Sequence, residues 1–519
     1  MPIPFSRRLL AALCAAMIAL PAAPARAQHN LPALGDAATE DFGVVTERRV
    51  GEQIMREVRR DADYLDDPLL LEYVQAIWSP LVAQARANGN ITAEIETRFS
   101  WEAFLVRDRS VNAFALPGGY FGVHLGLVGV IGSRDELASV LAHEMTHITQ
   151  RHIARLLGQQ SRQSPLLLAA MVLGALAASK NPQAGAALAV GGQAAVIQQQ
   201  LNFSRDMERE ADRIGYGVMT QAGFAPQGFV GMFERLQSAS RINDNGDWPY
   251  LRSHPLTTQR IADMQQRQQS LPRGATSGQD LEALLVAARA RVLGRPGVDV
   301  LRAWAGEPDQ PGFASGPLPR RAAALYAAAL AQAQLRDLPR AEALAEQLAR
   351  TVASDVGAAR QARLLRAELA LQAGQPQRAL ALLPAGARGE SQDPRGQAGR
   401  AALLLRAQAL TRAGQAGEAA SALQPWVSDH PRDAGAWQAL AQAEGAQGRM
   451  LRALRAEGEV PMARMDHAGA VDRWRAAQDH ARQHPGGAAE LIEASIVDTR
   501  LRAAQAALRQ QQLDELKRR

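Results

Sequence analysis

Apolar residues along this chain follow two regimes. From about residue 40 to 272 their spacing changes repeatedly, whereas beyond 280 it keeps a helical period to the end. In the first regime Tyr64 to Ala85 has helical spacing, and Ile91 to Phe104 alternates apolar and polar residues as strands do. Val111 to Val128, rich in Gly and aromatics, predicts a β-hairpin: Asn112-Ala113-Phe114-Ala115 enters, Pro117-Gly118-Gly119 turns, and Tyr120-Phe121-Gly122-Val123 leaves. A helix follows. Ser133 and Glu136 read as a capping box, with Glu136 reaching back to the Ser133 backbone N–H. Leu137, Val140, Leu141 and Ile148 supply its apolar face, and neither Gly nor Pro interrupts the run before Gly158. Another helix is expected from a Ser204 cap to Gly223.

Between these two helices, Leu166–Ala178 and Ala184–Ile197 are almost wholly apolar and are joined through Ser179-Lys180-Asn181-Pro182. Each is too short to span a membrane comfortably. Residues 165–197 read as an apolar helical hairpin packed on the rest of the chain, or as a lid or a membrane- or partner-facing element over the site.

The linker Leu271-Pro272-Arg273-Gly274-Ala275-Thr276-Ser277-Gly278 opens the second regime. There Ala373-Gly374-Gln375 with Ala379, Ala413-Gly414-Gln415 with Ala419, and Gln447-Gly448-Arg449 with Ala453 repeat one pattern. Leu335-Arg336-Asp337 with Ala341 is a degenerate copy, and Asp429-His430-Pro431-Arg432-Asp433 resembles a turn between repeats. Turn positions 336, 374, 414 and 448 are separated by 38, 40 and 34 residues, the helix–turn–helix period of tetratricopeptide repeats with insertions. Small residues at fixed places let paired helices approach, and stacked pairs form a concave surface. Generic helical packing is the competing reading.

Composition narrows the compartment more than the chemistry. At 519 residues with 47% hydrophobic content, two or three domains with sizeable cores are expected. The net charge of +6 comes almost entirely from arginine, Lys180 and Lys517 being the only lysines. No basic block is interleaved with aromatics, which argues against a nucleic-acid partner. Residues 1–27 read as a secretory signal peptide: Arg7-Arg8, an apolar run from Leu9 to Leu20, and cleavage after Ala25-Arg26-Ala27. Cys14, the only cysteine, falls within it, with Leu13 unsuited to a lipoprotein signal. The expectation is an exported, disulfide-free protein of a bacterial periplasm, soluble or peripheral to the membrane.

The chemistry is concentrated at His143-Glu144-Met145-Thr146-His147. Residues i and i+4 share a helix face, so both imidazoles can reach one metal ion, and Glu144 lies near enough to take a proton from a water beside it. A buried helix that carries two histidines by chance would desolvate them and an acid without compensation. A catalytic zinc takes three protein ligands. His152 is not the third, since the longer motif needs Gly at 150 and His at 153 where this chain has Gln150 and Ile153; it reads as a residue behind a ligand or at the surface. Glu208 is the candidate, in Ser204-Arg205-Asp206-Met207-Glu208-Arg209-Glu210-Ala211-Asp212, with Asp212 on the same face to accept the free N–H of a ligand histidine. Glu210 points elsewhere and reads as a surface charge.

Taken together, His143-Glu144-x-x-His147, Glu208-x-x-Ala211-Asp212, Ser253-His254-Pro255 with Arg260, and the Asn112–Ala115 strand resemble the peptidase family of the CAAX prenyl endopeptidase, HtpX and Oma. The signal and the repeats draw the likeness toward periplasmic members of that kind. The resemblance is strong over residues 100–270 and looser over the repeats. It implies an α+β zincin-like metallopeptidase domain over 40–272, mainly helical with a small sheet, then an all-α tetratricopeptide-repeat solenoid over 280–519. It further implies one Zn2+ per chain held by His143, His147 and Glu208, with Glu144 as base. His254 would either donate to the oxyanion or close the site as a fourth ligand, and Arg260 would assist the oxyanion. Asn112, Ala113, Phe114 and Ala115 would pair with an extended substrate. The implied partners are unfolded or stalled outer-membrane proteins, and the outer-membrane barrel assembly machinery through the repeats. Two other readings are a repeat-based chaperone or scaffold with secondary proteolysis, and an integral-membrane protease resting on the 165–197 hairpin.

Overall fold

A computed structural model describes residues 43–158, 204–242, 248–269, 280–383 and 399–516. The signal segment, the 165–197 hairpin and the 271–278 linker lie outside the described residues.

Helix α1 (Val44–Val58) precedes a two-residue strand, β1 (Tyr64–Leu65), and α2 (Pro68–Ala87). The helical spacing expected from Tyr64 therefore begins four residues later. Asp67 caps α2 by accepting from the Leu70 amide, and Pro68 sits in the first turn where its missing N–H costs nothing. The strand expected from Ile91 is also shortened: Ala93–Arg98 forms a helix, α3, and only Glu102–Val106 extends as β2. Thr92 accepts from Ile95 N, and Glu94 and Glu96 favour the positive end of α3, so local capping overrides the alternation.

The hairpin forms as its sequence predicts, with β3 (Ala113–Leu116) and β4 (Tyr120–His124) joined through Gly118 and Gly119 at φ 78° and 84°. The sheet order is β1-β2-β4-β3. Strands β2 and β4 pair in parallel with Glu102 opposite Tyr120, while β3 pairs antiparallel with β4 and Phe114 lies opposite Gly122. Strand β4 is buried along its length, as a central strand should be, and β3 forms the sheet edge. Trp78 of α2 stacks on Phe121 at 5.2 Å and donates its indole N–H to Trp101 O, locking helix to sheet.

Next come α4 (Leu125–Val130) and α5 (Arg134–Thr149), the helix of the HExxH motif. Half of the expected capping box forms: Ser133 Oγ accepts from Glu136 N. Glu136 instead takes the Gly132 N–H and pairs with Arg235 at 2.9 Å and 3.0 Å. The uninterrupted run to Gly158 breaks at Gln150–Arg151, where Arg151 adopts φ 51° and α6 (His152–Gly158) departs in a new direction. Glu47 of α1 grips the Arg151 guanidinium at 2.8 Å, so a tertiary contact holds a hinge that carries neither Gly nor Pro. Helices α7 (Arg205–Gln221), capped by Ser204 and closed by Gly223 at φ 88°, α8 (Gln227–Ile242), α9 (Pro249–Ser253) and α10 (Thr258–Gln269) complete this part.

Helix α11 (Leu281–Leu293) belongs to two cores at once. Ala283, Val286, Ala287 and Ala290 pack into the core around the sheet, and Leu281, Leu285, Ala288 and Val292 into the core of the following helices. Buried Arg289 adds a polar lock, binding Asp67 through Nε at 2.9 Å and Nη2 at 2.6 Å and Glu368 through Nη1 at 2.8 Å. After α12 (Val298–Gly306) the chain runs as antiparallel pairs: α13 (Leu318–Gln334) with α14 (Leu338–Thr351), α15 (Val356–Gln372) with α16 (Pro376–Leu382), α17 (Arg400–Arg412) with α18 (Ala416–Asp429), and α19 (Ala434–Ala446) with α20 (Met450–Ala463). Helices α21 (His467–Gln483) and α22 (Ala488–Leu516) end the described chain.

The four turn positions marked in the sequence share one geometry. Arg336, Gly374, Gly414 and Gly448 have φ 67°, 72°, 80° and 71°. The amide after each bonds back to a carbonyl five residues earlier: Asp337 to Gln332, Gln375 to Ala370, Gln415 to Leu410, and Arg449 to Glu444. This is the Schellman closure, for which the left-handed residue is best a glycine. Ala341, Ala379, Ala419 and Ala453, the small residues of the pattern, are all buried where paired helices meet. Among the described residues no helix is long and apolar enough to cross a membrane.

Candidate metal centre

Helix α5 places His143, Glu144 and His147 inside the protein, α7 brings Glu208 and Asp212 across from them, and the end of α9 supplies His254. All six are at most 2% exposed. Gly215 of α7 permits the close approach, since a Cβ there would lie 2.9 Å from the Ala142 carbonyl oxygen.

Four donor groups converge. His143 Nε2 lies 3.1 Å from His147 Nε2, 3.4 Å from His254 Nδ1 and 3.5 Å from Glu208 Oε2. His147 Nε2 lies 3.5 Å from Glu208 Oε1, which is 2.9 Å from His254 Nδ1. Metal–ligand bonds of about 2.1 Å set neighbouring ligand atoms about 3.4 Å apart, and the separations here, 2.9–3.5 Å, are close enough for one small cation to be shared. Its three imidazoles and one carboxylate are donors suited to zinc and its neighbours.

Electrostatics give each group a distinct state. Burial works against charge on His143, but Glu208 and the hydrogen bond to Asp212 outweigh it and raise its pKa to about 9. Burial pushes His147 well below its ordinary range, reinforced by His143. Glu208, despite burial, is held well below the carboxylate range by His254 and His143. Glu144 goes the other way: burial raises its pKa against the pull of His254 and His143. His254 Nε2 lies 3.3 Å from Glu144 Oε1, and a hydrogen bond from Tyr250 also works against the effect of burial on Glu144. A buried carboxylate with spare acceptor capacity facing the donor cluster is suited to receiving a proton.

Supporting residues differ from the sequence reading in two places. Asp212 accepts from His143 Nδ1 at 2.9 Å, as its place on the helix suggests. Arg260, expected beside the oxyanion, instead lies behind the carboxylates: it binds Asp212 through Nε at 2.6 Å and Nη2 at 2.8 Å, and Glu208 through Nη1 at 2.7 Å. Glu210, read as a surface charge, bonds His152 Nε2 at 3.0 Å and Arg155 at 3.2 Å, and His152 Nδ1 lies 2.9 Å from His147 Nδ1. The hydrogen bond to His152 is the main cause that holds the Glu210 pKa down at about 2. Sequence spacing could not reveal this contact, because on a continuous helix His152 would lie about 140° from His147. The break at Arg151 swings it back. Tyr250, stacked on the His254 ring at 4.7 Å, was also missed. Ala113, Phe114 and Ala115 lie on the edge strand β3, and Asn112 directly precedes it, its carbonyl accepting from His124 N.

A buried His-Glu-x-x-His helix facing a carboxylate helix defines a metallopeptidase. The sequence model of peptidase family M48 matches residues 72–268, and a relative at 31% identity aligns over most of both chains, so the chain belongs to that family and is a metalloendopeptidase. That relative is the beta-barrel assembly-enhancing protease of Escherichia coli, aligned over 474 residues that make up 89% of this chain and 90% of the relative. A putative beta-barrel assembly-enhancing protease of Vibrio cholerae is 38% identical over 271 residues, 52% of this chain and 53% of its own length. The mitochondrial metalloendopeptidase OMA1 of Saccharomyces cerevisiae is 28% identical over 216 residues, 41% of this chain and 59% of the relative.

Proposed function

We propose that this chain is a zinc-dependent endopeptidase of the bacterial periplasm that acts in outer-membrane barrel assembly. The observation that carries the metal assignment is the buried cluster of His143, Glu144, His147 and His254, whose ligand atoms lie within 4.8 Å of one another, with Glu208 within 3.5 Å of both motif histidines. When bound, zinc would polarise the scissile carbonyl and make an adjacent water acidic. Glu144 takes the proton of the attacking water and delivers it to the departing amine, a transfer favoured by the burial that raises its affinity for that proton. Asp212 holds His143 by its Nδ1–H, and Arg260 braces Asp212 and Glu208 from behind. The edge strand β3 would pair with an extended polypeptide.

His254 makes the enzyme latent. Its Nδ1 takes the fourth corner of the donor set, and its Nε2 faces Glu144, so substrate hydrolysis requires the α9 end to withdraw. The client class rests on the names of the full-length relatives. The repeating helix pairs that follow α11 are tetratricopeptide-like and would carry the contacts with clients and the assembly machinery.

Glu144→Gln is the test. Zinc content should stay at one per chain while cleavage of an unfolded barrel protein falls by at least about 1000-fold. Undiminished cleavage would sink the assignment. Full rescue of an envelope-assembly defect by the same variant would favour a scaffold role with proteolysis secondary.

A further inference from the structure

His147, in the last turn of α5, has its Nε2 in the donor cluster and its Nδ1 pointing away, to His152. His152 is fully buried, its ring 4.8 Å from that of His147 at an interplanar angle of 76°. Its far nitrogen, Nε2, lies 3.0 Å from Glu210 Oε2, and Arg155 fixes the same oxygen at 3.2 Å. Only one proton arrangement satisfies this chain when His147 Nε2 presents its lone pair to an ion. His147 Nδ1–H donates to His152 Nδ1, and His152 Nε2–H donates to the Glu210 carboxylate. The two ligand histidines are then supported alike, His143 directly by Asp212 and His147 through an intervening imidazole by Glu210.

We propose that His152 and Glu210 are positioning residues that fix the tautomer and ring plane of His147 for metal binding. The proposal rests on the reading of His143, His147 and Glu208 as a metal centre. The sharp turn at Arg151, pinned by Glu47, brings His152 back to within 2.9 Å of His147.

The test strips the full chain of metal and titrates it with Co2+, reading visible absorption, and with Zn2+ against a chelator. Glu210→Ala removes a partly exposed group and His152→Leu removes the acceptor. Both should weaken metal affinity on the order of 10–100-fold and alter the Co2+ spectrum, with far-UV circular dichroism unchanged. Glu210→Gln, which keeps an acceptor oxygen, should recover most of the affinity. The proposal is overturned if Glu210→Ala binds Co2+ with the affinity and spectrum of the unaltered chain. His147→Ala separates the two readings: if it loses Co2+ while Glu210→Ala does not, the relay alone falls, and if it too binds normally, the metal centre itself is wrong.

Discussion

Arg289→Met withdraws a buried guanidinium from between two carboxylates and tests what joins the sheet-bearing half of the protein to the helical half. The lost contacts are two bonds to Asp67, at 2.9 Å and 2.6 Å, and one to Glu368 at 2.8 Å, with Tyr326 OH at 3.4 Å as a weaker fourth. Asp67 is 7% exposed, so water cannot replace the missing donors, although it keeps the Leu70 amide of its helix cap. The Glu368 side chain is 21% exposed and recovers part of its hydration. Breaking a buried pair costs about 3–5 kcal/mol, and the relief at Glu368 puts the expectation near the lower end, about 3 kcal/mol. Adding Asp67→Asn removes the stranded charge while keeping a cap acceptor, and should return about 1–2 kcal/mol. Urea unfolding of the single and double variants, followed by circular dichroism and tryptophan fluorescence together, measures both numbers. A single variant within about 1 kcal/mol of the unaltered chain, or a double variant less stable than the single, would refute the reasoning.

Three further outcomes follow from the same geometry. Glu47, buried against Arg151, has its pKa raised from 4.5 to about 7, chiefly by burial. The folded state therefore holds a proton that the unfolded chain releases, and Glu47's contribution, on the order of 3 kcal/mol, is present below about pH 4.5 and lost as pH rises through about 7. Glu47→Gln should flatten that decline, seen as a smaller difference between unfolding midpoints at about pH 5 and about pH 8; an unchanged slope counts against it. Gly51→Ala would place a Cβ 1.9 Å from the Pro117 carbonyl oxygen. A backbone oxygen at the hairpin turn cannot step aside, so a loss of about 1–3 kcal/mol or more is expected in thermal unfolding, and a neutral substitution would contradict the packing. Asp212→Asn turns a donor toward Arg260 or His143 and should weaken zinc binding on the order of 10–100-fold in chelator competition, an unaltered affinity being the contrary result.

Local chemistry determined much of this protein in advance. The HExxH spacing, the hairpin with its Gly118-Gly119 turn, the Ser204 cap and the recurring left-handed turns are short-range patterns, and each has the geometry its residues dictate. Where two local rules competed, spacing alone misled: the cap at Thr92 overrode the alternation after Ile91 and made α3. Tertiary structure decided what depends on residues far apart. The hinge at Arg151 is held by Glu47, 104 residues away, and it brings His152 against His147 with Glu210, read from spacing as a surface charge, bonded behind it. Arg260 is bound by Asp212 and Glu208, because a buried guanidinium must sit where carboxylates already are. Sequence spacing fixes which side chains share a helix face. Which faces meet, and at what distance, is set by burial and charge pairing across the whole fold, and the close approach of His143, His147, Glu208 and His254 is read only there.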